Sequence, residues 1–123
     1  MSAHRLPHDL FMAPYERADP GDGVAITVDR WNTQIPLTIA ASTAETNTLA
    51  TPTRPGQRLV IVAGAVGAGG SREITAAAAV NQTGNTVMTF DAVREALILE
   101  SIPTGSGTYR WQIMLNEGSV TLA

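Results

Sequence analysis

Short runs in which apolar and polar residues alternate recur along the chain from residue 24 onward. Val24, Ile26 and Val28 alternate with small or polar residues, the period of two that a half-buried strand shows. The run 59–65 is instead apolar at nearly every position, as expected of a central strand. The pattern predicts about eight short strands, at residues 24–29, 35–41, 59–65, 73–80, 86–90, 97–102, 109–115 and 120–122.

Details within these runs make the prediction more specific. Pro36 places the second run at a sheet edge or at the start of a strand, because proline has no N–H to donate. In the run 109–115, alternate positions are expected to share one face, and these hold Tyr109, Trp111, Ile113 and Leu115. Residues 76–79 are four alanines that suit either a strand or a helix.

Turn residues separate the runs. Residues 81–85 (Asn-Gln-Thr-Gly-Asn) predict a hairpin loop in which Gly84 adopts a positive φ, and residues 103–107 predict a second hairpin. Residues 64–70 are glycine-rich and predict a flexible turn, while the polar, Thr-rich segment 42–56 predicts a long connection. Strands at this spacing indicate a single all-β domain of the β-sandwich, jelly-roll or barrel type.

The first 23 residues differ from the rest of the chain. Pro7, Pro14 and Pro20 exclude a long helix or a central strand, so residues 1–23 are predicted to form an extended arm before a β domain at 24–123. The arm is too apolar for a disordered polar tail. Its apolar side chains would either fold back on their own core or dock on a neighbouring subunit; they are Leu6, Leu10, Phe11, Met12 and Tyr15.

Composition and charge remove several classes of function. The 123 residues include neither Cys nor Lys, which excludes disulfides, thiolate metal ligands, Schiff-base lysines and P-loop lysines. Eight Arg against 11 carboxylates give a net charge of −3 with no basic patch, so neither nucleic acid nor an anionic membrane is expected as a partner. No run is apolar for long enough to serve as a signal peptide or to span a bilayer.

Candidate catalytic and metal-binding groups are weak. His4 and His8 have the spacing of two metal ligands on a helix, with Asp9 or Glu16 as a third, but Pro7 lies between them. These are the only histidines, so a Ser/His/Asp triad would need a base from the arm, and there is no nucleophile-elbow motif.

Two acidic groups also favour a structural interpretation. The segment 19–23 holds two aspartates but lacks the calcium-loop spacing, so it is predicted to be the turn that ends the arm. Asp91, Glu95 and Glu100 do not define an acid/base pair without a known separation. We therefore expect a protein that is not an enzyme, with no cofactor and no metal.

Aromatic residues suggest one possible binding platform. Sugars stack on exposed aromatic rings, and Trp31, Trp111 and Tyr109 are the residues that such a platform would use. Trp111 alternates in step with Ile113 and is expected in the core. Trp31, which follows a strand beside Arg30, is the candidate ligand-stacking residue.

Residues 43–123 resemble small structural proteins of tailed bacteriophages, and within that group the capsid decoration, or cement, proteins. The resemblance covers about two thirds of the chain and lies in strand and turn patterns. The segments that carry it are 44–50, Pro52-Thr53, 56–59, the glycine-rich turn with the Ile-Thr strand after it, 80–86, Tyr109-Arg110-Trp111 and Asn116-Glu117-Gly118.

The resemblance implies a structural virion protein that binds the outer surface of a phage capsid and stabilises the shell. Its partners would be the major capsid protein and further copies of itself, in trimers, after synthesis in the cytoplasm of a host bacterium. The arm residues listed above would then be the anchor on the capsid or on a neighbouring subunit. The alternative is a receptor- or carbohydrate-binding β module of a phage fibre or tail, in which Trp31 contacts the ligand.

Overall fold

Residues 13–123 are described by the structure, a computed structural model, and their regular secondary structure consists of β-strands only. Most strands are between four and ten residues long, and three consist of two residues. In chain order they are Tyr15–Glu16 (β1), Ala25–Ile26 (β2), Asn32–Ile39 (β3), Ala44–Leu49 (β4), Arg58–Val66 (β5), Ser71–Ala76 (β6), Val87–Phe90 (β7), Ala96–Gly105 (β8), Thr108–Glu117 (β9) and Thr121–Leu122 (β10).

The strands form two mixed sheets of five strands each. The first sheet has the order β1-β3-β5-β8-β9 and the second the order β10-β7-β6-β4-β2. From β1 to β6 the chain alternates between the sheets, so each sheet holds three parallel strands, and the later strands add in antiparallel orientation. The all-β, sandwich-like prediction is confirmed, and the two sheets do not close into a barrel.

Alternation along each strand builds the core between the two sheets. On β3 the buried positions are Thr33, Ile35, Leu37 and Ile39, while the residues between them are exposed. β5 lies between β3 and β8, which confirms the prediction of a central strand. The other large buried side chains come from both sheets and include Leu49, Leu59, Ile61, Ile74, Met88, Phe90, Leu97, Leu99 and Trp111.

The prediction of a long connection over 42–56 is wrong, because β4 lies inside it. Only one of the three inward positions of β4, Leu49, is apolar; the other two are Glu45 and Asn47, both buried. Hydrophobic alternation therefore gives no signal for this strand. Its inward polar groups are hydrogen-bonded to Arg72 of β6, which makes their burial stable.

Residues 15–16 form a strand of the first sheet, and residues 17–23 are hydrogen-bonded to both sheets. Tyr15 and Glu16 pair with Thr33 and Gln34, and Asp19 bonds the Thr38 N–H. The predicted division between residues 23 and 24 thus falls inside the hydrogen-bonded structure.

Three smaller differences concern the ends of two strands and a bulge within a third. The predicted strand 24–29 is reduced to the two residues of β2, and residues 77–79 form neither strand nor helix after β6 ends at Ala76. β9 has a bulge opposite residues Ile98 and Leu99 of β8. Leu99 pairs with Ile113 and Ile98 with Leu115, so Leu115 lies beside the outward Ile98. Leu115 is 46% exposed and does not share the inward face of Trp111, because Met114 is the extra residue.

Pro36 and Gly84 occupy the positions predicted for them. Gly84 has φ +96° in the loop before β7. Positions 34, 36 and 38 of β3 direct their backbone groups to the β1 side, where Gln34 accepts from the Arg17 N–H and Thr38 donates to Asp19. Pro36 lies between them, beyond the end of β1, where no strand is available to accept an N–H.

Candidate interaction surface

Of the predicted arm residues, only Tyr15 lies within the described part of the chain; Leu6, Leu10, Phe11 and Met12 lie outside it. Tyr15 is half-buried on β1, and its ring is contacted by two guanidinium groups. The Arg30 Cζ is 4.3 Å from the ring centroid and the Arg17 Cζ is 5.7 Å from it. These cation–π contacts and the pairing of β1 with β3 fix the point at which the N-terminal segment enters the domain, at the edge of the first sheet.

The outer face of the first sheet is apolar at its centre. Leu59 and Ile61 point into the core, so Val60 and Val62 point outward, where both are half-buried. Val62 pairs with Pro36 on one side. Val60 pairs with Ile98, which in turn pairs with the exposed Leu115. These aliphatic side chains lie in two neighbouring rows of the sheet, with Gln34 on the other side of Val60 and Glu117 at the end of the row of Val62. No element of the described chain covers them, and we call them the apolar face.

The apolar face borders the point where the N-terminal segment enters. Glu16 of β1 lines a shallow hollow of about 230 Å3, whose other walls include Pro36, Val60 and Val62. β1 and the apolar face therefore lie next to each other on the outer side of the first sheet.

The outer face of the second sheet has different chemistry. One row of paired residues crosses four strands as Thr46, Glu73, Thr89 and Thr121. Glu73 is the only charged residue among the outward positions of this sheet. The other outward hydroxyl groups belong to Thr48, Ser71 and Thr75. The hydroxyl groups of this face form hydrogen bonds with water, whereas covering the apolar face is favourable because it removes apolar surface from water.

A buried ion-pair cluster joins the two sheets beside the connection between β1 and β2. Arg72, 1% exposed, points inward from β6 and donates to both carboxylate oxygens of Asp19, at 2.8 and 3.0 Å. It also donates to Glu45 at 2.9–3.0 Å, to Asn47 Oδ1 at 3.0 Å and to the Thr38 carbonyl at 3.2 Å. Its partners therefore come from both sheets and from the β1–β2 connection.

The β1–β2 connection covers the free edges of two strands. Asp19 Oδ2 accepts the Thr38 N–H of β3, and Asp22 Oδ1 accepts the Thr46 N–H of β4. Each aspartate supplies the acceptor that a neighbouring strand would otherwise supply. The segment is thus the structural turn that its sequence predicted.

Burial alone would raise the pKa of Asp19, but hydrogen bonds from Arg72 and from the Thr38 and Gly21 N–H groups, with the charge of Arg72, hold it below its ordinary value. For Arg72, burial acts to lower the pKa, and the hydrogen bonds and charges of Asp19 and Glu45 raise it above its ordinary value. The pair is ionised at neutral pH, which stabilises the fold rather than supplying an acid or base.

The two tryptophans have different environments. Trp111 is 2% exposed, and its Nε1 donates to the Ala50 carbonyl at 3.0 Å, so its predicted core position is confirmed. Trp31 is half-buried, with the Arg54 Cζ 5.7 Å from its ring centroid. A ligand stacking on this face of Trp31 would have to displace the guanidinium of Arg54.

Two of the acidic residues singled out in the sequence, Glu95 and Glu100, have structural surroundings in the fold. Glu95 is 3% exposed, and its Oε1 accepts the N–H groups of Asp91 and Ala92, which fixes the turn before β8. Glu100 lies on the outer face of the first sheet, paired with Arg58. Between residues 13 and 123 no three His, Asp or Glu side chains come close enough together to hold a metal ion.

The apolar face and the buried cluster each have one signal in the sequence. The run Leu59-Val60-Ile61-Val62 is apolar on both faces, which indicates a strand covered on both sides and here marks the apolar face. Arg72 lies in a strand at an inward position, where a charged residue needs a partner, and this indicates the buried cluster.

Comparison with known proteins identifies no relative: neither family models, nor curated proteins, nor solved structures match this chain. The described residues contain no helix long and apolar enough to cross a membrane.

Proposed function

We propose that this protein is a structural component of a virion that binds the outer surface of a phage capsid and stabilises the shell. The observation that supports the proposal is the apolar face, which borders the entry point of the N-terminal segment. Exposed contiguous apolar surface on a small domain is typical of protein–protein contact. The partner that fits it is a protein surface with apolar side chains of its own, which we assign to the major capsid protein.

The contrast between the two sheets supports an oriented attachment. The apolar face and the N-terminal segment would contact the shell or a neighbouring copy, while the threonine-rich face would remain in water. Each contact need only be weak, because many copies on a closed shell act together. A stabilising role of this kind needs no catalytic group.

Binding to shells assembled without this protein tests the proposal. Val62→Glu places a charge on the apolar face, and Thr75→Glu makes the matched change on the threonine-rich face. We expect Val62→Glu to weaken co-sedimentation with shells by at least about tenfold, or about 1.4 kcal/mol per contact, because the charge would lose its water without gaining a partner. Thr75→Glu should bind as the unchanged protein does.

Thermal unfolding of both variants by circular dichroism is the control for correct folding. Equal shell binding by the two folded variants would contradict the use of the apolar face. A loss confined to Thr75→Glu would assign the contact to the opposite sheet. Deleting residues 1–12 tests the arm separately, because β1 and Asp19 stay in place.

A further inference from the structure

A groove lined by both apolar and polar groups lies at the β8–β9 hairpin, and none of its lining residues belongs to the apolar face. Its volume is about 570 Å3, within the range of small-molecule sites. Three parts of the chain line it: the β4–β5 connection at residues 51–53, the β6–β7 loop at Ala78, and the hairpin at residues 104–110.

The groove contains an aromatic ring, hydroxyl groups and one cation. Tyr109 is half-buried and lines the groove together with the β4–β5 connection, in which Pro52 is buried. Four threonines line the walls; they are Thr51, Thr53, Thr104 and Thr108. Among the described residues, the hydroxyl groups of Thr51, Thr53 and Tyr109 make no hydrogen bond. They are free to bond a ligand.

Arg110 is the only charged residue of the lining. Its Nη1 donates to the Ala79 carbonyl at 3.1 Å, which ties the side chain to the β6–β7 loop beside the groove, and its other N–H groups have no acceptor in the described chain. A protein of net charge −3 thus has a groove with a single positive charge and no carboxylate. A guanidinium in this setting pairs with a carboxylate through two parallel hydrogen bonds.

These groups match one class of ligand. A sugar ring stacks on tyrosine, its hydroxyls bond threonine hydroxyls, and a carboxyl group on the sugar pairs with arginine. We propose that this groove binds a short stretch of an acidic oligosaccharide, with Tyr109 as the stacking residue and Arg110 as the carboxylate partner. The site is distinct from Trp31, and its test uses the isolated protein, so its outcome does not depend on attachment to a shell.

Amide chemical-shift changes of the full chain, titrated with trigalacturonate, test the site. We expect shifts in residues 51–53 and 104–110, with a dissociation constant on the order of 1 mM. Galactotriose, the uncharged counterpart, should bind at least about tenfold more weakly, and raising the salt concentration should reduce this difference.

Variants separate the contributions of charge and of stacking to sugar binding. Arg110→Gln should reduce trigalacturonate binding to the level of galactotriose, whereas Arg110→Lys should retain part of the preference through its charge. Tyr109→Leu should weaken both sugars, because stacking does not depend on the carboxylate. Thr75→Ala, on the outer face of the second sheet, is the matched control and should change neither.

The proposal is overturned if neither sugar shifts the groove residues at about 10 mM, or if shifts appear only around Trp31 and are lost in Trp31→Ala. Equal binding of a hexaglutamate peptide would assign the groove to acidic peptides instead. The amide spectrum of each free variant shows whether it has kept the fold.

Discussion

Arg72 links the two sheets through hydrogen bonds within an otherwise apolar core. A buried guanidinium loses its hydration, and here it regains hydrogen bonds to Asp19, Glu45, Asn47 and the Thr38 carbonyl. Removing one partner of such a cluster leaves the remaining charges without compensation. The cluster therefore stabilises the fold only as a complete set.

Replacing Arg72 with Met should lower the free energy of unfolding by about 3 kcal/mol, because Asp19 and Glu45 would lie together without a cation. Urea unfolding followed by circular dichroism measures the loss. Arg58→Met, a change of the same kind at an exposed position on the first sheet, should cost less than about 1 kcal/mol. Equal losses in the two variants would show that the buried cluster contributes nothing beyond an ordinary surface charge.

The lowered pKa of Asp19 predicts a dependence of stability on pH. Its ordinary value is 3.8 and its folded value is lower, so the contribution to stability is present above pH 3.8 and is lost as pH falls through the folded value. The difference in unfolding free energy between the unchanged protein and Asp19→Asn should stay constant from about pH 7 to 5 and shrink below about pH 4. A difference that grows on acidification would contradict the assignment.

At single positions, sequence reasoning succeeded where one chemical property decides the outcome. The missing N–H of Pro36 and the need of a glycine for positive φ at residue 84 are local, and both were predictable. The role of Arg72 was not, because its partners are 25 to 53 residues distant in the chain. Only the fold brings them together.

At the scale of elements, the glycine-rich turn between β5 and β6 packs directly against the turn between β3 and β4. A Cβ on Gly70 would overlap the carbonyl oxygen of Ala40, and one on Gly67 would overlap the backbone of Ala41. Each of these turns crosses from the first sheet to the second, from β3 to β4 and from β5 to β6, so the two crossings pack against each other without room for a side chain. Gly67 and Gly70 are needed because there is no room for a Cβ at either position, more than because the turn is flexible.

Gly70→Ala should therefore destabilise the protein by about 1–3 kcal/mol, since backbone atoms have to move to admit the methyl group. Gly64 in β5 is the matched control: a Cβ there would be 3.4 Å from the Leu37 carbonyl oxygen, an ordinary contact, and its φ is not positive. Gly64→Ala should change stability by less than about 0.5 kcal/mol. Thermal unfolding compares them, and a Gly70→Ala protein as stable as Gly64→Ala would show that the turns are not tightly packed.

Strand prediction from the sequence was good where inward residues are apolar and poor where they are not. β5, β7 and the β8–β9 pair were predicted within a few residues, because their inward positions are aliphatic or aromatic. β4 was missed because Glu45 and Asn47 occupy its core positions, and the bulge at Met114 reversed the face of Leu115. Polar residues at buried positions remove the apolar alternation by which a strand is recognised, and a bulge leaves no mark in that alternation.

At the scale of the whole molecule, the two sheets present unlike surfaces. The first sheet has the apolar face beside β1, and the second has an outer face rich in threonine. A small domain that associates through one face and remains hydrated on the other fits a position on the surface of a larger assembly. The sequence resemblance predicts such a position, and the proposed function assigns one sheet to the contact and the other to solvent.

The copy number of this protein in purified virus particles tests the central claim most directly. Quantitative mass spectrometry of particles from its source would give the ratio of this protein to the major capsid protein. The proposed shell-stabilising role predicts a ratio near one, because the contact repeats over the whole shell. A few copies per particle would assign the protein to a fibre, neck or tail, and its absence from particles would contradict a structural role in the virion.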